Sequence, residues 1–321
     1  MKHFILLLAV FLSFPVFAQD SGGGFAAWLA DFRRDAMSQG ISQDTLDDAL
    51  EGAQPLDRVL VLDRKQPEST LTLDEYLDNV VTTKRISEGR ELYDENDALL
   101  TKIGAEYGVQ PRFILALWGI ETNYGRNTGG FSTVASLATL AYDGRRSDFF
   151  RGELINALKI LQSEHMPASD MKGSWAGALG QCQFMPSTYL KYAVDYDRDG
   201  RRDIWRTRSD VFASIANYLK SLGWNDDEGW GREVKLPAGF DRNLIDIKSE
   251  KPLSEWSRLG VRKTDGKALP RQNIDASLIL VGEGDDAVPY LIYGNYKALL
   301  KWNRSRFFAT GVGTLADKIG Q

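Results

Sequence analysis

Residues 111–125 constrain this chain most. The run opens with a proline, which fits the first turn of a helix because its missing N–H is not needed there. Phe113, Ile114, Leu115, Leu117, Trp118 and Ile120 follow with almost no polar face. A helix that is apolar all round has to be buried all round, so other elements must wrap it. Gly125 reads as its stop, since glycine takes the left-handed conformation that ends helices. One acid, Glu121, sits in the final turn. Desolvation and the negative end of the helix dipole both disfavour a carboxylate there, so its pKa should rise. A carboxyl that keeps its proton near neutral pH can serve as a general acid. The plainer reading is a glutamate paired with an arginine or facing water.

The length, 321 residues, allows two or three subdomains, and 43% hydrophobic with 26% charged residues is an ordinary globular balance. Lys2 and His3, an apolar run over 4–14 and Ala18 have the order of a signal peptide cleaved after residue 18. This predicts export to the periplasm. No cysteine stands directly after the apolar run, which argues against a lipid anchor, and no other stretch approaches the ~20 apolar residues of a membrane span. Loss of Lys2 takes the net charge from −5 to −6, which disfavours nucleic acid as the partner. Cys182 is the only cysteine, so the core must hold without an intrachain disulfide. The only histidines are His3 and His165, which excludes a multi-histidine zinc site and leaves any histidine-based nucleophilic catalysis to His165.

Apolar spacing predicts helices over 25–37, 42–50, 73–86 and 87–107, then over 132–141, 147–164, 186–192 and 209–222. The run 59–62 is open between helix and strand. Short apolar runs at 234–236, 277–281 and 289–293, set among glycine and charge, read as strands around one short helix at 253–259. Helix returns at 295–302 and 306–321. The expected class is α+β, mainly α.

Two further stretches carry chemistry. In residues 174–189, Gly177, Ala178 and Gly180 allow close backbone approach to a ligand, and Gln181 and Gln183 set amides beside Phe184 and Met185. Amides next to aromatics suit a sugar, with hydroxyls at its edge and C–H groups on its face. A plain glycine turn into a helix is the competing reading. Directly after it, Asp195, Asp197 and Asp199 with Gly200 form the front half of an EF-hand calcium loop. Position 12 is Arg206 rather than a bidentate glutamate, while Asp203 and Asp210 are available to complete a shell. Arg198, Arg201, Arg202 and Arg206 make an arginine-neutralised turn the alternative.

Gly-Ile-Glu-Thr-Asn-Tyr-Gly at 119–125, Ser-Trp-Ala-Gly-Ala-Leu-Gly at 174–180, Gln-Phe-Met-Pro-Ser-Thr-Tyr at 183–189 and the Asp195 loop together resemble lytic murein transglycosylases of the membrane-bound type B family. The likeness runs from about residue 85 to 218 and more weakly to the C-terminus. It implies a lysozyme-like helical core with an additional helical domain and a small β subdomain. The expected boundaries are a signal peptide at 1–18, an N-terminal helical region at 19–95, the catalytic core at 96–228 with its calcium loop at 195–210, the β subdomain at 229–290, and C-terminal helices at 291–321 packing back on the core or helical domain. The family's acid falls on Glu121. Its substrate-contacting positions fall on Ser174, Gln183, Tyr218, Tyr296 and Trp302, where a tyrosine is usual at the last. Cys182 stands where glycine is usual, which predicts a reshaped saccharide groove. The metal shell falls on Asp195, Asp197, Asp199, the backbone carbonyl of Arg201, and Asp210, with Ca²⁺ structural and no cofactor for catalysis.

Glycosidases usually flank the bond with two carboxyl groups. No second acid lies in the segments around Glu121 or Gln183, although folding can bring Asp143 or Asp148 near. One acid suits a lyase that leaves a 1,6-anhydro sugar. The alternatives are a hydrolytic muramidase and a non-catalytic, calcium-stabilised wall-binding protein. The expected partners are peptidoglycan strands and other cell-wall enzymes, and the expected state is a monomer.

Overall fold

The computed structural model describes residues 24–65 and 71–321; the expected signal peptide at 1–18 lies outside them. The helices are α1 (Gly24–Ser38), α2 (Gln43–Leu50), α3 (Asp57–Arg64), α4 (Leu73–Val80), α5 (Thr83–Glu95), α6 (Asp97–Tyr107), α7 (Pro111–Thr122), α8 (Thr133–Tyr142), α9 (Ser147–Glu164), α10 (Pro186–Tyr192), α11 (Arg208–Ser221), α12 (Leu253–Arg258), α13 (Gly294–Trp302) and α14 (Arg306–Ile319). The strands are β1 (Phe131–Ser132), β2 (Lys172–Gly173), β3 (Gly231–Lys235), β4 (Glu250–Pro252), β5 (Arg262–Lys263), β6 (Asp275–Val281) and β7 (Val288–Ile292). The molecule is thus mainly helical with a small antiparallel sheet.

Local chemistry explains most boundaries. Ser42, Thr72 and Ser132 each cap a helix by accepting a backbone N–H, and Thr72 forms a reciprocal capping box with Glu75. The undecided 59–62 run is helix α3, entered from Leu56, whose N–H donates to Thr139 on α8. Two expected helices are three, α4, α5 and α6. The 73–86 run stops at Val80 and restarts behind the Thr82 cap, and the 87–107 run breaks at Asn96. Capping and turn groups there outweigh helix-compatible spacing.

Helix α7 is the axis. Every residue from Phe113 to Gly119 is buried, each large apolar side chain contributing about 1.5–3 kcal/mol. Helices α5, α6, α11 and α14 pack round it. The helices before residue 95 fall into two groups in space: α2 and α3 lie on the α8–α9 pair, while α4 and α5 lie on α14. Asp63 of α3 is buried and takes ion pairs from Arg145 and Arg146 at 2.6 and 2.9 Å, fastening α3 to the turn before α9.

The sheet runs β4-β6-β7-β3-β5, all antiparallel, with Leu278 opposite Leu291 in its centre. It has its own apolar core, including Val234, Trp256, Leu278, Leu291 and Tyr293, separate from the large core that runs from Phe32 to Ile319.

Candidate active site

The C-terminus of α7 makes an abrupt turn. The helix ends at Thr122, and Asn123, Tyr124 and Gly125 all have left-handed backbone (φ 51°, 59° and 81°). The stop is therefore Asn123, not Gly125 as expected, since a short polar side chain also tolerates this conformation. The reversal folds Tyr124 back along α7. Its ring lies against Gly119, where a Cβ would sit 2.7 Å from the ring, and its hydroxyl donates to the Arg85 carbonyl at 2.7 Å. Gly125 is needed for a different reason: a Cβ there would lie 2.2 Å from the Gln181 Oε1.

Gln181 ties the glycine-rich loop to this helix end. It is buried, accepts from the Trp118 indole at 2.8 Å and donates to the Trp205 carbonyl at 2.7 Å, while Thr122 donates to its backbone carbonyl at 3.1 Å. Its amide is thus occupied by the protein and not offered to a sugar. The buried Glu153 of α9 anchors the next segment by accepting from the Ser187 N–H (2.8 Å) and hydroxyl (2.6 Å) at the start of α10.

Glu121 emerges half-buried from this frame. Its carboxyl is pushed up to about 7, chiefly by burial, against the opposing effect of one hydrogen bond. That bond comes from the Trp302 indole N–H at 2.7 Å. The Trp302 ring packs on Tyr218 and Phe184, with centroids 4.9 and 5.4 Å away, and Tyr218 stacks on Tyr192 at 4.5 Å. Two other groups feel the Glu121 charge. The Tyr76 phenol is raised to about 12, by burial first and Glu121 second, and burial with Glu121 also raises the Cys182 thiol. Tyr76 belongs to the site and escaped the sequence reading; it stands 45 residues before Glu121 on a different helix, with no motif linking the two.

The other expected substrate positions are placed as follows. The Ser174 hydroxyl accepts from the N–H groups of Ala176 and Ala178. Gln183 has left-handed backbone (φ 50°), and its amide donates to the carbonyls of Thr128 and Gly180 at 3.1 and 2.9 Å. Tyr218 and Trp302 wall the acid. Tyr296 lies elsewhere: it is fully buried, and its hydroxyl donates to the Arg306 carbonyl at 3.0 Å and lies 3.1 Å from that of Thr310. It presents no surface to a glycan, because its position in α13 faces α14. Cys182 is also fully buried, with its thiol donating to the Val211 carbonyl, so it fills space beneath the loop.

In the acidic loop, one carboxylate oxygen from each of Asp195, Asp197 and Asp210 lies within 4.8 Å of the others. Asp210 is fully buried and accepts from the N–H groups of Tyr196 and Asp203, both at 2.9 Å. Asp199, expected in the same shell, is outside this group and accepts from the Arg201 N–H at 2.8 Å. Among the described residues no arginine pairs with Asp195, Asp197 or Asp199, and Arg202 is committed to the buried Glu164. Three converging, unpaired carboxylates fit a hard cation such as calcium.

A half-buried acid under an aromatic wall, in a mainly helical frame beside a small sheet, defines an enzyme of the glycan-cleaving, lysozyme-like class. The sequence matches the family described as the transglycosylase SLT domain over residues 24–317. It is 28% identical over 295 residues to the membrane-bound lytic murein transglycosylase B of Escherichia coli, spanning 87% of this chain and 79% of the relative. The fold superposes on Pseudomonas aeruginosa SltB3 in complex with NAG-NAM-pentapeptide, with TM-score 0.89, 44% identity, and 93% and 80% of the two chains covered. It also superposes on the E. coli lytic transglycosylase Slt35 in complex with calcium, with TM-score 0.77, 27% identity and 93% of each chain covered. The chain belongs to the transglycosylase SLT domain family and is a peptidoglycan lytic transglycosylase.

Proposed function

We propose that this enzyme cleaves the β-1,4 bond between N-acetylmuramic acid and N-acetylglucosamine without water, leaving a 1,6-anhydro end, with Glu121 as acid and then base. The observation that carries this reading is the isolation of a single proton-holding carboxyl. Burial and the Trp302 bond are the causes that set its pKa, and no second carboxylate is among them. Asp143 is paired with Arg64 at 3.0 Å, and Asp148 lines a separate polar depression with Asp35 and Arg151. A hydrolase that needs a second acid on the opposite sugar face finds no candidate in these two.

The chemistry follows from the bonding. Indole N–H is donor only, so Trp302 orients one carboxyl oxygen and cannot take its proton. The protonated oxygen of Glu121 donates to the glycosidic oxygen as the C1–O bond breaks. The substrate's own 2-acetamido group shelters the cationic C1. Glu121, now a carboxylate, takes the proton of the 6-hydroxyl as that oxygen bonds to C1, which restores the acid. Ser174, Gln183, Tyr218 and Trp302 hold the strand.

The substrate in this reading is a peptide-bearing strand, in keeping with the NAG-NAM-pentapeptide held by SltB3. Ca²⁺ at Asp195, Asp197 and Asp210 is structural, tying the turn after α10 to the start of α11. Residues 1–18 direct export to the periplasm, where this substrate lies; among the described residues no helix is long and apolar enough to cross a membrane. The test is the chemistry of the product ends on purified sacculi. Mass spectrometry should find anhydro ends that resist borohydride; new reducible ends would mean hydrolysis, and no soluble product would mean a binding protein.

A further inference from the structure

A cavity of about 750 Å³ lies beside the acid and has no part in the chemistry above. Its walls come from three places: Leu73 and Tyr76 at the start of α4, Leu280, Glu283 and Asp286 around the β6–β7 turn, and Phe307 in the first turn of α14. Tyr76 is the wall shared with the active site. Its ring packs on Phe307 with centroids 5.5 Å apart, and both it and Ile120, the residue next to Glu121, lie against Gly311.

The lining differs from that around Glu121. The acid is walled by stacked rings beside loop amides, which suits a sugar. This cavity has leucine and phenylalanine inside and two exposed carboxylates at its rim. Among the described residues, neither Glu283 nor Asp286 has an ion-pair partner. Arg306 also lines the cavity; its guanidinium donates to the Leu280 carbonyl at 2.8 Å and keeps its charge, so the two carboxylates outweigh it by one negative charge. N-acetylated sugars carry no cation for such a rim, whereas a peptide bearing a free amine does.

We propose that this cavity receives the stem peptide of the strand being cut, with apolar side chains against Leu73, Leu280 and Phe307 and a side-chain ammonium group between Glu283 and Asp286. The assignment rests on the glycan reading of the Glu121 site, since it is the sugar in that site that delivers the peptide. The cavity reads whether the strand still carries its peptide and whether that peptide's amine is free. An amine already blocked by acylation or cross-linking loses the rim contact.

The test is binding to the full-length protein carrying Glu121→Gln, which holds ligand without cutting it. The probes are a GlcNAc–MurNAc–pentapeptide with a free side-chain amine and the same compound with that amine acetylated. The free-amine form should bind about three- to fivefold more tightly, the range for one or two solvent-exposed charge contacts, and the preference should shrink with salt. Adding Glu283→Gln and Asp286→Asn should remove the preference while leaving affinity for peptide-free disaccharide unchanged. Equal affinity for the two forms, or a preference that survives the double substitution, overturns the assignment. Failure of all three ligands to bind overturns the glycan reading, and this proposal with it.

Discussion

Glu121 and Asp210 are both acids withdrawn from water, and both hold their protons more tightly than an exposed carboxyl. Glu121 is raised to about 7 and Asp210 to about 6, with burial the largest cause in each. Their surroundings then diverge. Asp210 receives two backbone N–H groups, which favour its charged form, and stands with Asp195 and Asp197. Glu121 receives one N–H, from a side chain, and no neighbouring carboxylate shifts it. Desolvation alone does not assign a role. An acid gripped by fixed backbone donors is a tie that invites a cation, whereas an acid with one donor keeps an oxygen free to carry a proton.

The strongest way to break this contrast is to neutralise each acid in turn. Glu121→Gln should lower release of soluble muropeptides from sacculi by about 10³-fold, within the range for removing a general acid, and the protein should remain folded by circular dichroism. Asp210→Asn should keep most of the activity at low temperature yet melt several degrees lower, because it disturbs two buried hydrogen bonds worth about 1 kcal/mol each. If the two phenotypes exchange, the roles are reversed.

A smaller change sharpens the Glu121 side. Trp302→Phe keeps the aromatic packing and removes the N–H. The Trp302 bond lowers the Glu121 pKa, so its loss should raise that pKa further, by about one unit for about 1.4 kcal/mol of differential interaction. The alkaline limb of the pH–rate profile should move up, with turnover about tenfold lower from the loss of orientation. A drop in rate with an unmoved limb would leave Trp302 a sugar contact only.

Much of this site was legible in the sequence because it lies in contiguous segments. Glu121 is conspicuous as the one acid in an apolar helix, and the Asp195 loop declares itself by spacing. What stayed hidden depends on distance along the chain. Tyr76 reaches Glu121 only because α4 packs on α14 and α14 on α7. The bond from Trp302 crosses 181 residues. Tyr296 matched a family pattern, but its helix faces it inward, and a pattern does not report which way a side chain points. Gln181 looked like a sugar-binding amide and is a strut between Trp118 and the Trp205 carbonyl, a bond whose partners lie 63 and 24 residues away. The helix breaks after Val80 and at Asn96 were missed because hydrophobic spacing persists across a short interruption.

The Asp210 side is sharpened by metal removal. Ca²⁺ added to protein treated with EDTA should raise Tm by about 5 °C at a hundredfold excess over its dissociation constant, which corresponds to about 2.7 kcal/mol. Asp197→Asn, an exposed position whose acceptor oxygen is retained, should remove most of that rise without lowering the Tm of the metal-free protein. A metal-free protein that ignores calcium would leave the loop an ordinary turn in which Asp210 alone does the tying.

The smallest effect is a stability difference that should appear only on one side of neutrality. Glu121 has a folded pKa of about 7 against an ordinary 4.5, so the fold favours its protonated form. The stability contributed by this proton is fully present below about pH 4.5 and is lost as pH rises through 7. Glutamine never ionises and never incurs that loss. Glu121→Gln and the parent should therefore melt together near pH 4.5, and the variant should melt higher by about 2–4 °C at pH 8. That margin corresponds to on the order of 1 kcal/mol, a figure reduced because the carboxyl is partly reached by solvent. A constant offset at every pH would mean that the substitution changed packing. A variant less stable at pH 8 would mean that the native site holds the carboxylate, and Glu121 would then resemble Asp210.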